Sequence, residues 1–185
     1  MTEEPLGAER ARLPFRAVNR RDQTGYDPAL QRHHLLPCQL RTRRCFARMI
    51  DQLDPARLGF DDFRSNGLLL PSRIEAARRL GLPLHRGPHR DYNAMVIERV
   101  GQIESAWAAR QRRHSREAGE DALFRLALLQ RSLRRRLLDP PGRPLRLNRL
   151  DPLGAGVDFR ELDAMAEALW AGSQAILADS SSRAC

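Results

Sequence analysis

Two short apolar runs along the chain are each followed directly by a proline. Residues 34–36 (His-Leu-Leu) precede Pro37, and residues 68–70 (Leu-Leu-Leu) precede Pro71. A short apolar run that stops at a proline is typical of a β-strand, because proline cannot donate a hydrogen bond to the ladder. The pattern therefore predicts two short strands.

Longer segments carry apolar residues at a spacing near 3.6, the period of one helix face. Ser72 and Glu75 have the S-x-x-E form of a capping box, and Gly81 suits the left-handed residue that ends a helix. Pro88 suits a first helical turn, where its missing N–H costs no hydrogen bond. Residues 61–67 are predicted to form a loop. The predicted helices span residues 39–53, 72–81, 88–113, 120–138 and 158–176.

The order strand, helix, strand, short helix, long helix predicts an α+β fold. We expect a small α+β core at residues 29–115 and a mostly helical C-terminal extension at residues 116–185. Residues 1–28 are polar and rich in arginine without clear periodicity, so we expect an N-terminal arm there. At 185 residues, the chain is long enough to bury a hydrophobic core.

The charge of the chain indicates a polyanionic partner. There are 32 basic residues, all of them arginine, against 23 acidic ones, which gives a net charge of +9. No apolar run approaches the roughly 18–20 residues of a membrane span, and the start does not resemble a signal peptide. We therefore expect no membrane association, and a location in the cytoplasm or export by a specialised secretion system. Three cysteines without CxxC spacing argue against a disulfide framework and a cysteine zinc site.

Four of the five histidines form two pairs, His33 with His34 and His85 with His89. Imidazole serves both as a metal ligand and as a general base near neutral pH. Either pair alone is more often a pair of solvated surface residues. Two pairs within one short region instead predict a metal site that hydrolyses a phosphodiester.

Two asparagines and two arginines lie close to these histidines in the sequence. Asn66 either begins a turn before the second strand or uses its amide to orient a histidine or tie loops together. Asn93 follows His89 by four residues and would share its helix face. Arg86 and Arg90 flank the second pair and are either phosphate contacts or ordinary solvated side chains.

Three ordered motifs, HHLLP from His33, NGLLLP from Asn66 and LHRGPHRDYN from Leu84, resemble the AHH nucleases of the HNH/endonuclease VII superfamily. The resemblance covers about residues 31–105, and Arg32 stands where the family name records alanine. It implies a ββα-metal fold, in which two strands and a helix hold one divalent ion against the scissile phosphate. The implied metal ligands are His33, His85 and His89, with Asn93 as an alternative ligand or a residue that supports the ligands. The implied catalytic residues are His34 as general base, Asn66 and Asn93. The implied nucleic-acid contacts are Arg32, Arg86 and Arg90.

The resemblance leads us to expect a metal-dependent endonuclease that cleaves DNA rather than RNA, with little sequence preference. The expected cofactor is one zinc, nickel, manganese or magnesium ion, with imidazole ligands favouring the transition metals. We expect a bacterial toxin that an immunity protein neutralises. Two alternatives remain: a non-catalytic DNA-binding module with a structural metal, and a nuclease of a phage or mobile element.

Overall fold

The structure is a computed structural model that describes residues 11–139, 145–147 and 151–152. Within these residues it contains six α-helices, one 3₁₀ turn and a two-stranded antiparallel sheet. This arrangement confirms the predicted α+β fold. The helix predicted over residues 158–176 lies outside the described residues. None of the helices in the described part of the chain combines the length and the apolar character that crossing a membrane requires.

The sheet pairs strand β1 (Leu30–His34) with strand β2 (Gly67–Pro71). His33 lies directly opposite Leu68 in the antiparallel register. Strand β2 contains the predicted run 68–70, so the second strand prediction is confirmed. The 32 residues between the strands, 35–66, form the loops and helices that close the hairpin.

The first strand lies earlier in the chain than predicted. The prediction placed it at residues 34–36, but β1 ends at His34, and Leu35 and Leu36 follow it in a loop. Both leucines are 0 % exposed. The two leucines are therefore apolar because their side chains enter the hydrophobic core, and not because they belong to a strand. The main-chain N of Leu35 donates to the carbonyl of Asn66 at 2.8 Å.

The helix predicted over the first part of this connection is two helices, α1 (Gln39–Thr42) and α2 (Arg44–Gln52). Arg43 between them adopts extended backbone, with ψ at 118°. On one continuous helix, Leu40 and Phe46 would point about 120° apart. The break lets both side chains enter the core, where they are 1 % and 5 % exposed.

A one-turn helix, α3 (Phe63–Asn66), occupies the segment predicted as a loop. Asp62 caps it, because a side-chain oxygen of Asp62 accepts a hydrogen bond from the main-chain N of Arg64 at 3.2 Å. Four residues are too few to display a helical period, so the sequence pattern could not reveal this turn.

Helix α4 (Ile74–Leu80) follows β2 and ends, as predicted, at Gly81 with φ at +64°. The predicted capping box at Ser72 is wrong. The residue that precedes the helix is Arg73, and the hydroxyl of Ser72 donates to the carbonyl of Ala29 at 3.1 Å. Ser72 therefore ties the end of β2 to the segment before β1.

Two long helices, α5 (Arg90–Gln111) and α6 (Ser115–Leu138), pack against each other. Helix α5 begins two residues after Pro88, which therefore precedes the helix and is not in its first turn. Helix α6 begins at Ser115, earlier than the predicted start at residue 120. The prediction missed its first turns because the first buried residues there are the small Ala118 and Ala122, each 1 % exposed. Alanines contribute little to a pattern read from large apolar side chains.

A single hydrophobic cluster joins the helices to the loop after β1. Its members include Leu36, Ile50, Val100, Leu133 and Leu147. Helix α6 thus shares its core with α2 and α5, although the predicted boundary of the helical extension falls at its first residue. The division of the chain at residues 28 and 115 stays a prediction.

The segment before β1 packs against the turn that precedes α3. Pro14 forms an isolated β-bridge with Asp62, and the main-chain N of Phe63 donates to the carbonyl of Leu13 at 2.7 Å. These contacts hold a 3₁₀ turn (Phe15–Ala17) near the end of β1, which bears His33 and His34.

Candidate metal centre

His33 lies at the centre of a cluster of aromatic rings and is only 3 % exposed. Its ring centroid is 5.0 Å from that of His85, 5.6 Å from that of His89 and 5.0 Å from that of Tyr92. The hydroxyl of Tyr92 donates to the carbonyl of Leu35 at 2.8 Å, which fixes the tyrosine beneath β1. Strand β1 and helix α5 together therefore determine where the His33 ring lies.

His85 and His89 approach His33 from the connection between α4 and α5. The main-chain N of His85 donates to the carbonyl of Pro71 at 2.6 Å, which anchors this histidine to the end of β2. Gly87 has φ at +77° and turns the chain back, so that the two rings face each other with centroids 4.4 Å apart. His89 is the residue just before α5, one position short of the predicted first turn.

The three histidines form one group whose ligand atoms all lie within 4.8 Å of one another. Among the described residues, the buried Nε2 atom of His33 has no hydrogen-bond partner. The Nδ1 atom of His85 lies 3.2 Å from the side-chain oxygen of Gln31, and that of His89 lies 3.0 Å from the carbonyl of Leu147. Because both partners are acceptors, each Nδ1 carries the proton and each Nε2 keeps a lone pair for a metal ion. The residues present therefore fit a divalent ion.

The surroundings keep His33 and His85 uncharged. Burial, assisted by repulsion from His85 and His89, holds the pKa of His33 well below its usual range. Burial, assisted by repulsion from His89, lowers the pKa of His85 to about 4. Both rings are thus neutral near pH 7, which is the form that binds a metal ion.

His34 lies outside this three-histidine cluster. Its ring stacks on that of Phe15, with centroids 3.8 Å apart and an angle of 5° between the planes. Successive residues of a strand point to opposite faces, which separates His34 from His33. Burial lowers the pKa of His34, an effect that Asp61 opposes and Arg32 assists. The half-buried ring is therefore largely neutral near pH 7 and able to accept a proton.

Asn66 is 0 % exposed and uses its side chain to join three segments. Its amide oxygen accepts from the main-chain N of Leu36 at 2.7 Å, and its amide nitrogen donates to the carbonyl of Phe60 at 3.0 Å. Gln130 of α6 donates to the same oxygen at 3.4 Å. Asn66 thus holds the loop that follows the histidines of β1. None of these hydrogen bonds joins Asn66 to the three histidines.

A family model matches residues 15–133 of the chain. It describes AHH, a nuclease family of the HNH/ENDO VII superfamily with conserved AHH. The chain belongs to the AHH nuclease family. The match spans more than half of the chain and confirms the resemblance carried by the three motifs. No curated protein and no solved structure matches the chain.

Membership of the AHH family makes the chain a nuclease, whose substrate is nucleic acid. Nucleases of the HNH superfamily use a divalent metal ion. In this AHH nuclease, the histidines that can hold such an ion are His33, His85 and His89. These are the three ligands predicted from the sequence, and the structure brings them together.

The remaining predicted site residues surround the cluster. Arg86 and Arg90 are exposed beside the ligands of the α4–α5 connection. Arg32 is also exposed, and its guanidinium donates to the carbonyl of Phe15 at 2.8 Å. Asn93 is half-buried one turn after His89, and its main-chain N donates to the carbonyl of that histidine at 2.8 Å.

Three contacts of the AHH site were not predicted. Gln31 could have been found, because it precedes His33 by two residues on a strand and so points to the same face. Phe15 lies in a segment without periodicity, and nothing local to it indicates a stack on His34. The contact from Leu147 is made by a main-chain carbonyl, which no side-chain pattern can reveal.

Proposed function

We propose that this AHH nuclease is a metal-dependent endonuclease that hydrolyses phosphodiester bonds of DNA with little sequence preference. The observation that carries the proposal is the cluster of the buried His33 with the partly buried His85 and His89. An Nε2 atom buried at His33 without a partner in the described residues is costly for the protein alone, and a bound ion would satisfy it. The paired Nδ1 atoms of the other two histidines match the usual surroundings of metal-bound imidazole.

The proposed chemistry divides between the cluster and His34. His33, His85 and His89 would hold a divalent ion, which would supply stabilisation of the charge that develops on the phosphate and the leaving oxygen. The neutral imidazole of His34 accepts the proton of the attacking water at a ring nitrogen. Its stack on Phe15 fixes the plane of the ring. A base that is held next to a metal ligand but does not bind the metal itself retains its lone pair for this step.

Supporting roles follow from the contacts of the other residues. Asn66 positions the loop after His34, because its amide bonds the main chain of Leu36. Asn93 lies one helical turn after His89, on the same face of α5, and helps to hold that histidine in place. Arg32, Arg86 and Arg90 contact backbone phosphates, which positions the substrate without reading bases, and this supports a low sequence preference.

Three imidazole nitrogens support a transition-metal ion, with zinc, nickel or manganese favoured over magnesium. The same donor set would suit a structural metal in a DNA-binding module. The two functions differ at His34, which is outside the ligand set. A structural site does not need that side chain, whereas hydrolysis does.

The deciding experiment is plasmid cleavage by purified protein in EDTA and with added magnesium, manganese, zinc or nickel. Wild type should cleave only with metal, and His34→Ala should be about 10²–10⁴-fold slower. His114→Ala is the matched control, since His114 is an exposed histidine at the start of α6, and it should cleave like wild type. If wild type cleaves neither DNA nor RNA with any metal yet binds DNA, the binding module replaces the nuclease mechanism.

We also propose that the nuclease acts as a bacterial toxin with an immunity protein. The net charge of +9 supports an acidic protein as that partner. Expression of wild type should arrest bacterial growth, and His34→Ala should not. A small acidic protein encoded next to the nuclease should restore growth when it is co-expressed. The absence of toxicity in cells that contain active nuclease would contradict this role and would leave a phage or mobile-element nuclease.

A further inference from the structure

A groove of about 620 Å³ lies beside the outer edge of β1. The residues of its wall that matter here are Arg16, Arg20, Arg21, Tyr26, Gln31 and Arg32. It lies on the side of the sheet where β1 has no neighbouring strand, since β2 is the only strand paired with it in the described chain. The residues that line it come from β1 and from the segment that precedes β1.

The groove reaches the metal centre through Gln31. This residue lines the groove, and its side-chain oxygen lies 3.2 Å from Nδ1 of His85. The next residue, Arg32, also lines the groove, and its side chain lies on the opposite face of β1 from His33, the face that bears His34. A ligand in the groove would therefore lie beside Gln31, the partner of His85, and on the side of His34.

The charge of the groove is strongly positive. Arg20 pairs with Asp22, but in the described chain neither Arg16 nor Arg21 has an acidic partner within ion-pair distance. The guanidinium of Arg32 is held against the main chain, at 2.8 Å from the carbonyl of Phe15. The groove is therefore lined by four guanidinium groups and one carboxylate. This excess of positive charge suits successive phosphates of a nucleic-acid strand.

One aromatic side chain stands among these arginines. Tyr26 lines the groove, is half-buried, and stacks on no other ring in the described residues. A positively charged groove with a free aromatic face is the arrangement by which proteins hold unpaired nucleotides, because every base can stack on the ring. The groove volume falls within the roughly 300–1,000 Å³ of pockets that bind small molecules, so the groove has room for a nucleotide.

We propose that this groove binds an unpaired strand of the substrate next to the scissile phosphate, with one base stacked on Tyr26 and backbone phosphates on Arg16, Arg21 and Arg32. The proposal rests on the nuclease function and specifies its substrate, a nucleic acid with a single-stranded segment at the point of cleavage. Duplex DNA then has to open locally before its strand enters the groove.

The test is fluorescence anisotropy in EDTA, so that binding is measured without cleavage. The probes are a labelled oligothymidylate and a labelled duplex of the same length. Tyr26→Ala should weaken binding of the single strand about 5–100-fold and that of the duplex much less. Tyr26→Phe keeps the stacking ring and should bind like wild type.

A second variant, Arg16→Gln with Arg21→Gln, tests the phosphate contacts without altering a half-buried residue. It should reduce the slope of log K against log salt for the single strand by about 0.7 per arginine. The matched control is Arg112→Gln with Arg113→Gln, which removes the same charge at the far end of α5, about 33 Å along the helix from His89.

Equal losses for the groove variant and the control would overturn the proposal, as would equal losses of single strand and duplex with Tyr26→Ala. These outcomes are distinct from failure of the nuclease mechanism. That mechanism fails if wild type cleaves no nucleic acid, and such a result leaves the binding measurements unaffected.

Discussion

His33 has a buried Nε2 atom that no group in the described part of the chain satisfies, and a metal ion bound there should stabilise the folded protein. At a metal concentration 100 times the dissociation constant, linkage gives about 2.7 kcal/mol, or roughly 5–10 °C in Tm for a chain of this size. We expect this increase for wild type with zinc or nickel, and no increase for His33→Ala. The measurement is thermal unfolding followed by circular dichroism, with and without EDTA.

His114→Ala is the control for that comparison, because His114 is exposed and distant in sequence from the cluster. It should show the full increase in Tm. If His33→Ala were stabilised by metal as strongly as wild type, the ion would be bound elsewhere, and the assignment of His33 as a ligand would be wrong.

The residues that form the centre were largely predictable, whereas the contacts that orient them were not. The two pairs of histidines indicate a metal site, and the three ordered motifs, through the resemblance to the AHH family, indicate His33, His85 and His89 as its ligands. Their hydrogen-bond partners depend on chain segments far away in sequence. Phe15 reaches His34 only because residues before β1 pack against α3, and no local pattern encodes that contact.

At the scale of elements, the junction between α3 and β2 depends on a glycine. A Cβ atom at Gly67 would lie 2.2 Å from a ring carbon of Phe63, which is far inside van der Waals contact. Gly67→Ala should therefore destabilise the protein by about 1–3 kcal/mol, since the Phe63 ring or the strand must move. The change in the free energy of unfolding can be measured by urea denaturation.

Gly25→Ala provides the comparison for that variant, because a Cβ atom there would meet nothing within 4 Å. It should change the free energy of unfolding by a few tenths of a kcal/mol at most. A loss at Gly25 as large as that at Gly67 would mean that contact with the Phe63 ring does not determine the effect.

The elements differ in how well the sequence predicts them, for physical reasons. Helices α5 and α6 have many turns, so their apolar period is repeated often enough to be recognised. Helix α3 has one turn and shows no period. The run after β1 was mistaken for strand because burial in the core and pairing in a sheet both select apolar residues, and only the tertiary structure separates the two at Leu35 and Leu36.

At the scale of the whole molecule, the metal centre is completed by residues beyond the part that matches the AHH family, which ends at residue 133. The carbonyl of Leu147 accepts from His89, and a side-chain oxygen of Asp151 accepts from the main-chain N of Leu84 at 3.1 Å. Leu84 directly precedes His85. The chain after α6 thus returns to hold the connection that carries two of the three ligands.

Asp151→Ala should therefore weaken metal binding by about tenfold, the lower end of what partners behind the ligands contribute. Asp151 is 7 % exposed, and its removal leaves the N–H of Leu84 without this acceptor and His85 less well positioned. Asp151→Asn keeps an oxygen acceptor and should retain most of the affinity. Asp51→Ala, at an exposed carboxylate of α2, should retain all of it. Titration of the metal-free protein with zinc against a competing chelator measures each dissociation constant, and wild-type affinity in Asp151→Ala would show that the family-matched part alone determines the metal site.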